Sequence, residues 1–247
     1  MRKKIFFFLL IFFVLAINLF GQDNLKQDKK YEKAKMVFNL GQENFSCGRV
    51  EKAKSLFKKA IKIYPELKEA YNNLGILLKE EGDIKEAIEC YKKAIEIDNQ
   101  YFIAYFNLGV LFFEQKRFED AEKCYKSALL INPSFAPAHY NLGLLYDEIK
   151  DYEKAIQSYI EAGKIDRKMK DAFFNLALDY SKLGELDSGV AVLHYISTDV
   201  ESDPIVFYAI RKEYYDEPYH EFNWGKVLDP NCIGATQLKK ENEESNE

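Results

Sequence analysis

Residues 71–95, YNNLGILLKEEGDIKEAIECYKKAI, contain two apolar patterns on either side of the turn Glu81-Gly82-Asp83. In each half the apolar and small residues recur at the spacing of one helix face; they are Tyr71, Leu74, Gly75 and Leu78, then Ala87, Tyr91, Ala94 and Ile95. A glycine opposite alanines lets two helix backbones approach closely, and the Tyr91 ring fills the gap beside them. The stretch therefore predicts two packed helices joined by a tight turn.

The same pattern recurs along the chain every 34 residues. Glycine falls on four successive beats, alanine marks two later positions, and an aromatic ring stands between them; the sets are Gly41, Gly75, Gly109 and Gly143, Ala53, Ala87, Ala121 and Ala155, Phe57, Tyr91, Tyr125 and Tyr159, and Ala60, Ala94, Ala128 and Ala162. A fixed period of this length predicts stacked copies of one helix pair.

Four repeats follow from this period, over residues 34–67, 68–101, 102–135 and 136–169. A fifth, degenerate unit over 170–199 keeps the pattern of the first helix but loses the small residues of the second, as a terminal unit that meets solvent should. The solenoid is expected within 22–199. Glycine is expected to adopt a left-handed backbone conformation in the turns at Gly48, Gly82 and Gly184. Lys116 and Lys150 occupy the same position in two other repeats, where we expect either a strained backbone or a different turn.

Residues 200–247 leave the repeat. Asp203-Pro204 suits a helix start, so residues 200–237 predict a capping helix followed by an irregular aromatic segment. Residues 238–247 are too polar to bury a core and are expected to be disordered.

The first 21 residues have the layout of a targeting element. Arg2, Lys3 and Lys4 precede an apolar run, Ile5–Phe20, whose only polar residue is Asn18. A cleaved signal peptide, cut after Ala16 or Gly21, and an uncleaved inner-membrane anchor are both compatible with this run; a buried core helix suits it less because the run has no polar face. Either of the first two predicts export to the periplasm or cell envelope.

Charge and motifs exclude several classes of function. Beyond residue 21 the chain carries 32 basic and 40 acidic side chains, which disfavours nucleic acid as a partner. Phosphate-binding loops, HExxH and GxSxG motifs are absent, so neither an enzyme nor a cofactor is predicted.

The histidines and cysteines form no ligand pattern. His139 stands at a repeat position held by Tyr71 and Tyr105, which predicts a core role, and His194 and His220 lack partners at ligand spacing. Buried or half-buried thiols are favoured over a bridge between the repeat-equivalent Cys90 and Cys124, because packed helix axes are farther apart than a disulfide spans. Cys47 and Cys232 complete the set, and the lack of CxxC disfavours a metal site.

The stripes quoted above resemble the tetratricopeptide repeat (TPR), with its Leu-Gly pair, its aromatic residues and its paired alanines. The resemblance implies an all-α, right-handed superhelical solenoid of antiparallel helix pairs, whose first helices line a concave peptide-binding groove.

The resemblance implies that the sixth position of each repeat faces this groove. In this chain that position is asparagine in all five units: Asn39, Asn73, Asn107, Asn141 and Asn175. The arrangement is similar to the asparagine ladder of the family's glycosyltransferase members, where amides pair with a peptide backbone. A structural role, with the amides bonding neighbouring helices, stands beside this hypothesis. The lysines and arginine of the family's carboxylate clamp are missing.

Apolar residues accompany this ladder, namely Phe38, Phe106, Tyr140, Phe174, Val110 and Leu144, and their rings are expected to be exposed. Acidic residues follow at the rim, namely Glu80, Glu114 and Glu148. We therefore expect a non-enzymatic scaffold or assembly factor that binds an apolar segment of a partner protein, with basic residues beside that segment. The alternative is a purely structural or self-associating module whose groove stays empty.

Overall fold

The computed structural model describes residues 26–185 and Gly189, and this part of the chain is entirely helical. Its helices are α1 over residues 26–46, then α2 (Val50–Ile63), α3 (Lys68–Glu81), α4 (Ile84–Ile97), α5 (Phe102–Glu114), α6 (Phe118–Ile131), α7 (Ala136–Glu148), α8 (Tyr152–Ile165) and α9 (Lys170–Lys182). The predicted all-α fold of paired helices is confirmed. The predicted N-terminal segment, the second helix of the fifth repeat and the capping helix lie outside the described residues.

The chain divides into two compact units, Met1–Gln115 and Lys116–Glu247. In the first unit α2 packs on α3, α3 on α4, and α5 on both α3 and α4. In the second unit α6 packs on α7, α7 on α8, and α8 on α9. From α2 onward, consecutive helices within each unit therefore pack on one another, as expected when one supersecondary unit is stacked repeatedly.

In each of the first four repeats, the alanine–aromatic–alanine stripe of the second helix is part of the core. All of its residues are buried: Ala53, Phe57 and Ala60 in α2, Ala87, Tyr91 and Ala94 in α4, Ala121, Tyr125 and Ala128 in α6, and Ala155, Tyr159 and Ala162 in α8. The rings lie against the first-helix glycines, since a Cβ built on Gly75 would stand only 2.8 Å from the Tyr91 ring. The glycine therefore makes room for the aromatic ring directly.

The turns within the repeats share one left-handed residue. Gly48, Gly82 and Gly184 have φ of 71°, 87° and 80°, and Lys116 and Lys150 have φ of 57° and 62°. The residue after this position bonds back to the first helix both after glycine and after lysine: Asp83 N donates to Leu78 O and Asp151 N to Tyr146 O, each at 2.8 Å. The lysines thus accept the strained conformation that their place in the repeat predicts.

Candidate functional site

The five ladder asparagines all lie in first helices, and they differ in exposure. Asn39 in α1 is exposed, whereas Asn73, Asn107, Asn141 and Asn175 are half-buried. Four of the amides therefore lie where they can contact both neighbouring helices and solvent.

In the first unit the ladder connects α3 and α5 through a chain of amides. Asn107 Nδ2 donates to Asn72 Oδ1 at 2.8 Å, and Asn72 Nδ2 donates to Asn73 Oδ1 at 3.3 Å. Asn72 is a buried polar residue, at the repeat position that Phe38 and Phe106 occupy elsewhere. A buried amide is costly unless its groups are bonded, and both neighbouring asparagines supply such bonds.

In the second unit the ladder amides bond to tyrosine hydroxyls. Asn175 Nδ2 in α9 donates to Tyr140 OH in α7 at 3.3 Å, and Asn141 Nδ2 in α7 reaches Tyr125 OH in α6 at 3.5 Å. In the Asn175–Tyr140 pair and in the Asn107–Asn72 pair the two residues are 35 positions apart. In both pairs, therefore, the sixth residue of one repeat contacts the fifth residue of the preceding repeat. The amides thus bond adjacent helices, which is the structural role that the sequence left open.

The apolar residues predicted beside the ladder are not equally accessible. Phe38 is only 3% exposed because its ring packs on Phe57, with centroids 5.6 Å apart, so the prediction of an exposed ring is wrong at this position. Phe174 is 39% exposed. The remaining members, Phe106, Val110, Tyr140 and Leu144, are half-buried.

Ion pairs join the C-terminal ends of successive first helices. Lys79 Nζ in α3 lies 2.7 Å from Glu114 Oε1 in α5, and Lys182 in α9 pairs with Asp147 in α7. In each pair the two residues are 35 positions apart in the sequence, and the two pairs occupy equivalent positions of the repeat. The charges are reversed, because Asp147 stands at the position of Lys79 and Lys182 at the position of Glu114. Glu80 and Glu148, beside these pairs, are exposed, so each unit carries an exposed carboxylate at this end of its first helices.

Candidates for chemistry remain weak in the described part of the chain. Cys90 and Cys124 are free, half-buried thiols, and burial raises the pKa of each to about 11, which suppresses the reactive thiolate. His139 is half-buried rather than in the core, and its Nε2 lies 3.0 Å from the Pro133 carbonyl oxygen. Among residues 26–185 no group of three or more histidines, cysteines or carboxylates could hold a metal ion. Cys232, His194 and His220 lie outside the described residues.

Sequence reasoning missed three buried polar residues, Asn44, Asn72 and Asp179. Each stands at a repeat position where other repeats carry an aromatic or aliphatic residue. Comparing the repeats column by column for polar exceptions, rather than for shared residues, could have identified all three.

Comparison with protein families agrees with the repeat pattern. Family models described as tetratricopeptide repeat match residues 34–67, 56–89, 102–135 and 124–157, and one described as TPR repeat matches 77–116. No curated protein sequence matches the chain. No helix within the described residues has the length and apolar character needed to cross a membrane.

Solved structures with this fold include several repeat proteins. MamA is 25% identical, with a TM-score of 0.58 over 77% of this chain and 99% of its own. PilF of Pseudomonas aeruginosa is 22% identical, with a TM-score of 0.66 over 77% of this chain and 86% of its own. YrrB, described as a TPR protein with an unusual peptide-binding site, is 17% identical, with a TM-score of 0.57 over 77% of this chain and 97% of its own.

Proposed function

Because this chain belongs to the tetratricopeptide-repeat family, we propose that it is a non-enzymatic scaffold that binds a segment of a partner protein on its first helices. Scaffolds of this family are generally non-enzymatic.

The observation that carries the proposal is the mixed surface of α7 and α9 in the second unit. Phe174 exposes its ring beside half-buried Tyr140 and Leu144, although large rings are normally placed in the core. Asn141 and Asn175 stand next to them, each with its Nδ2 bonded within the fold, which leaves the amide carbonyl oxygens as acceptors. In the first unit half-buried Phe106 and Val110 accompany Asn107, whose Nδ2 is likewise bonded within the fold, to Asn72 Oδ1.

This chemistry supports a particular class of partner. Apolar side chains on the partner would cover the rings, and backbone N–H groups of an extended segment would donate to the asparagine carbonyl oxygens. Exposed Glu80 and Glu148 would favour lysine or arginine next to that apolar stretch.

We further propose that the protein works in the cell envelope. The support is the N-terminal sequence, in which a basic start precedes the apolar run Ile5–Phe20, as in a signal peptide or an anchor. An assembly factor in that compartment would hold a subunit of an envelope complex through the first-helix surface.

A structural or self-associating module is the second candidate, and the ladder itself favours it. The amides of Asn107, Asn141 and Asn175 are already used between helices, so asparagine at this place needs no bound peptide to explain it. The two candidates differ in whether the exposed first-helix side chains matter for partner recovery.

The experiment compares surface variants in affinity capture with crosslinking from envelope extracts. Asn107→Ala with Asn141→Ala, and separately Phe174→Ala, should lose the partners that the parent chain recovers. Gln157→Ala and Leu130→Ala are matched controls, because they remove an exposed amide and an exposed apolar side chain from second helices. If the first-helix variants stay folded and recover the same partners at the same yield, the groove is not the binding site.

A further inference from the structure

The fifth repeat carries an aspartate where the second, third and fourth repeats carry a core leucine. Steps of 34 residues lead from Leu77 to Leu111, Leu145 and Asp179. The leucines are 0%, 0% and 1% exposed, and Asp179 is likewise 0% exposed. A carboxylate is far more costly to bury than a leucine unless it is paired or protonated, so this substitution requires a physical explanation.

The groups around Asp179 leave it incompletely paired. Lys182, one turn later in α9, places Nζ 3.0 Å from Asp179 Oδ1, and the same ammonium pairs with Asp147 of α7. Asp179 Oδ2 accepts no hydrogen bond from the described residues. On α8, the buried hydroxyl of Tyr159 also has no hydrogen-bond partner there; burial, followed by the charges of Asp179 and Asp147, raises the pKa of Tyr159. One ammonium group therefore serves two carboxylates.

This environment favours protonated Asp179. Burial raises the pKa of Asp179 to about 6; the hydrogen bond from Lys182 opposes the rise, and the charge of Asp147 adds to it. Burial alone would lower the pKa of Lys182, but its bonds to Asp147 and Asp179 outweigh burial and raise it. Lys182 consequently stays charged while the proton on Asp179 titrates.

We propose that Asp147, Asp179 and Lys182 form a pH-sensitive contact that holds α9 tightly against α7 in mildly acidic solution and loosens it above neutrality. When Asp179 is protonated, Lys182 neutralises Asp147 alone, and the Asp179 carboxyl group can donate a hydrogen bond to a neighbouring oxygen. When Asp179 ionises, two carboxylates compete for one ammonium group in a poorly solvated place.

The direction of the pH dependence follows from proton linkage. The pKa of Asp179 in the folded chain lies above the value of about 4 that an unfolded chain gives. The stabilising contribution is therefore complete below about pH 4 and is lost as the pH rises through about 6. Because α7 and α9 also carry Tyr140 and Phe174, the same proton would alter the spacing of the side chains on this surface.

Hydrogen exchange of the full-length chain tests the contact directly. After correction for intrinsic exchange rates, protection of the α9 amides should fall by up to about tenfold between about pH 5 and about pH 7.5, and by up to about 100-fold when the lower pH is below about 4. Helix α5, which has Leu111 at the equivalent place, should change much less and serves as the internal reference.

Variants identify the titrating group. Asp179→Leu introduces the residue of the second, third and fourth repeats and should abolish the pH dependence of α9, whereas Asp171→Asn, an exposed aspartate on the same helix, should leave it unchanged. A pH dependence that persists in Asp179→Leu would overturn the proposal. Carboxyl-carbon NMR of the parent chain provides a readout that needs no variant to fold: a midpoint for Asp179 near 6 supports the contact, and one below about 4.5 refutes it.

Discussion

Gly75 and Tyr91 show at the scale of single residues how the repeat packs. A methyl group on Gly75 would lie 2.8 Å from Tyr91 Cε1. A methyl group on Gly41 would lie 2.6 Å from the Phe57 ring, and one on Gly143 would lie 2.4 Å from the Tyr159 ring. Each ring is buried, so it has little space into which to move. The glycine is therefore required by packing, although it weakens the helix that contains it.

Gly75→Ala should consequently destabilise the protein by about 1 to 3 kcal/mol, because overpacking outweighs the gain of about 0.5 to 1 kcal/mol in helix propensity. Chemical denaturation followed by circular dichroism measures the change. Glu80→Ala, an exposed change on the same helix, is the control and should stay within about 0.5 kcal/mol of the parent. Adding Tyr91→Leu to Gly75→Ala should cost less than the sum of the single changes; strict additivity would show that the ring is not the obstacle.

At Lys150 the introduction of a glycine should stabilise the protein, because this residue has a left-handed backbone with φ of 62°. Lys150→Gly should stabilise the protein by about 0.5 to 1 kcal/mol, since relief of the left-handed strain exceeds the extra entropy that glycine gives the unfolded chain. Gly82→Ala, at the equivalent turn, should destabilise by a similar amount. Denaturation midpoints for the two variants that moved in the same direction would contradict this account.

At the scale of helices, α3 and α7 are covered on two sides. Helix α3 packs on α2 and α4, and α7 packs on α6 and α8. Their buried residues therefore extend beyond one stripe and include Leu77 and Leu145. Within residues 26–185 no helix precedes α1, and Met36, equivalent to the buried Ala70, is 73% exposed there. The same repeat position is thus core or surface according to its neighbours.

Leu142→Ala in α7 should destabilise its surroundings by about 2 to 5 kcal/mol, because truncation of a buried leucine leaves a cavity. Hydrogen exchange should show the amides of α7 and α8 losing protection first, as expected for repeats that contact mainly their neighbours. Leu130→Ala makes the same truncation on α6 at a side chain that is 86% exposed, and it should change exchange little. Equal effects of the two variants would rule out packing as the cause.

At the scale of the whole molecule, the N-terminal segment and the repeats have different physical requirements. The apolar run Ile5–Phe20 suits a membrane or a translocation channel, whereas the remaining chain carries 32 basic and 40 acidic side chains and suits water. We therefore propose that the apolar run directs export through or into the membrane, and that the repeats lie in water on the exported side.

Cell fractionation tests export. The protein should be found in the envelope or periplasm, either shortened by removal of about 16 to 21 residues or intact in the membrane fraction. N-terminal sequencing of the recovered chain distinguishes the two forms. An intact chain that is soluble in the cytoplasm, starting at Met1 or Arg2, would contradict the proposal.

The spacing of residues along the chain was sufficient to predict the repeat, the helix pairs and the packing of the Tyr91 ring beside Gly75, and it placed Lys150 in a turn with either a strained or a different conformation. These features depend on contacts within one repeat, which a period of 34 residues and a helical stripe encode directly. Contacts between repeats were not predictable in this way, because a helical stripe does not specify which residue of the next repeat it meets. Only packing in three dimensions joined Asn107 to Asn72 across 35 residues and placed Asp179 where an ammonium group is shared with Asp147.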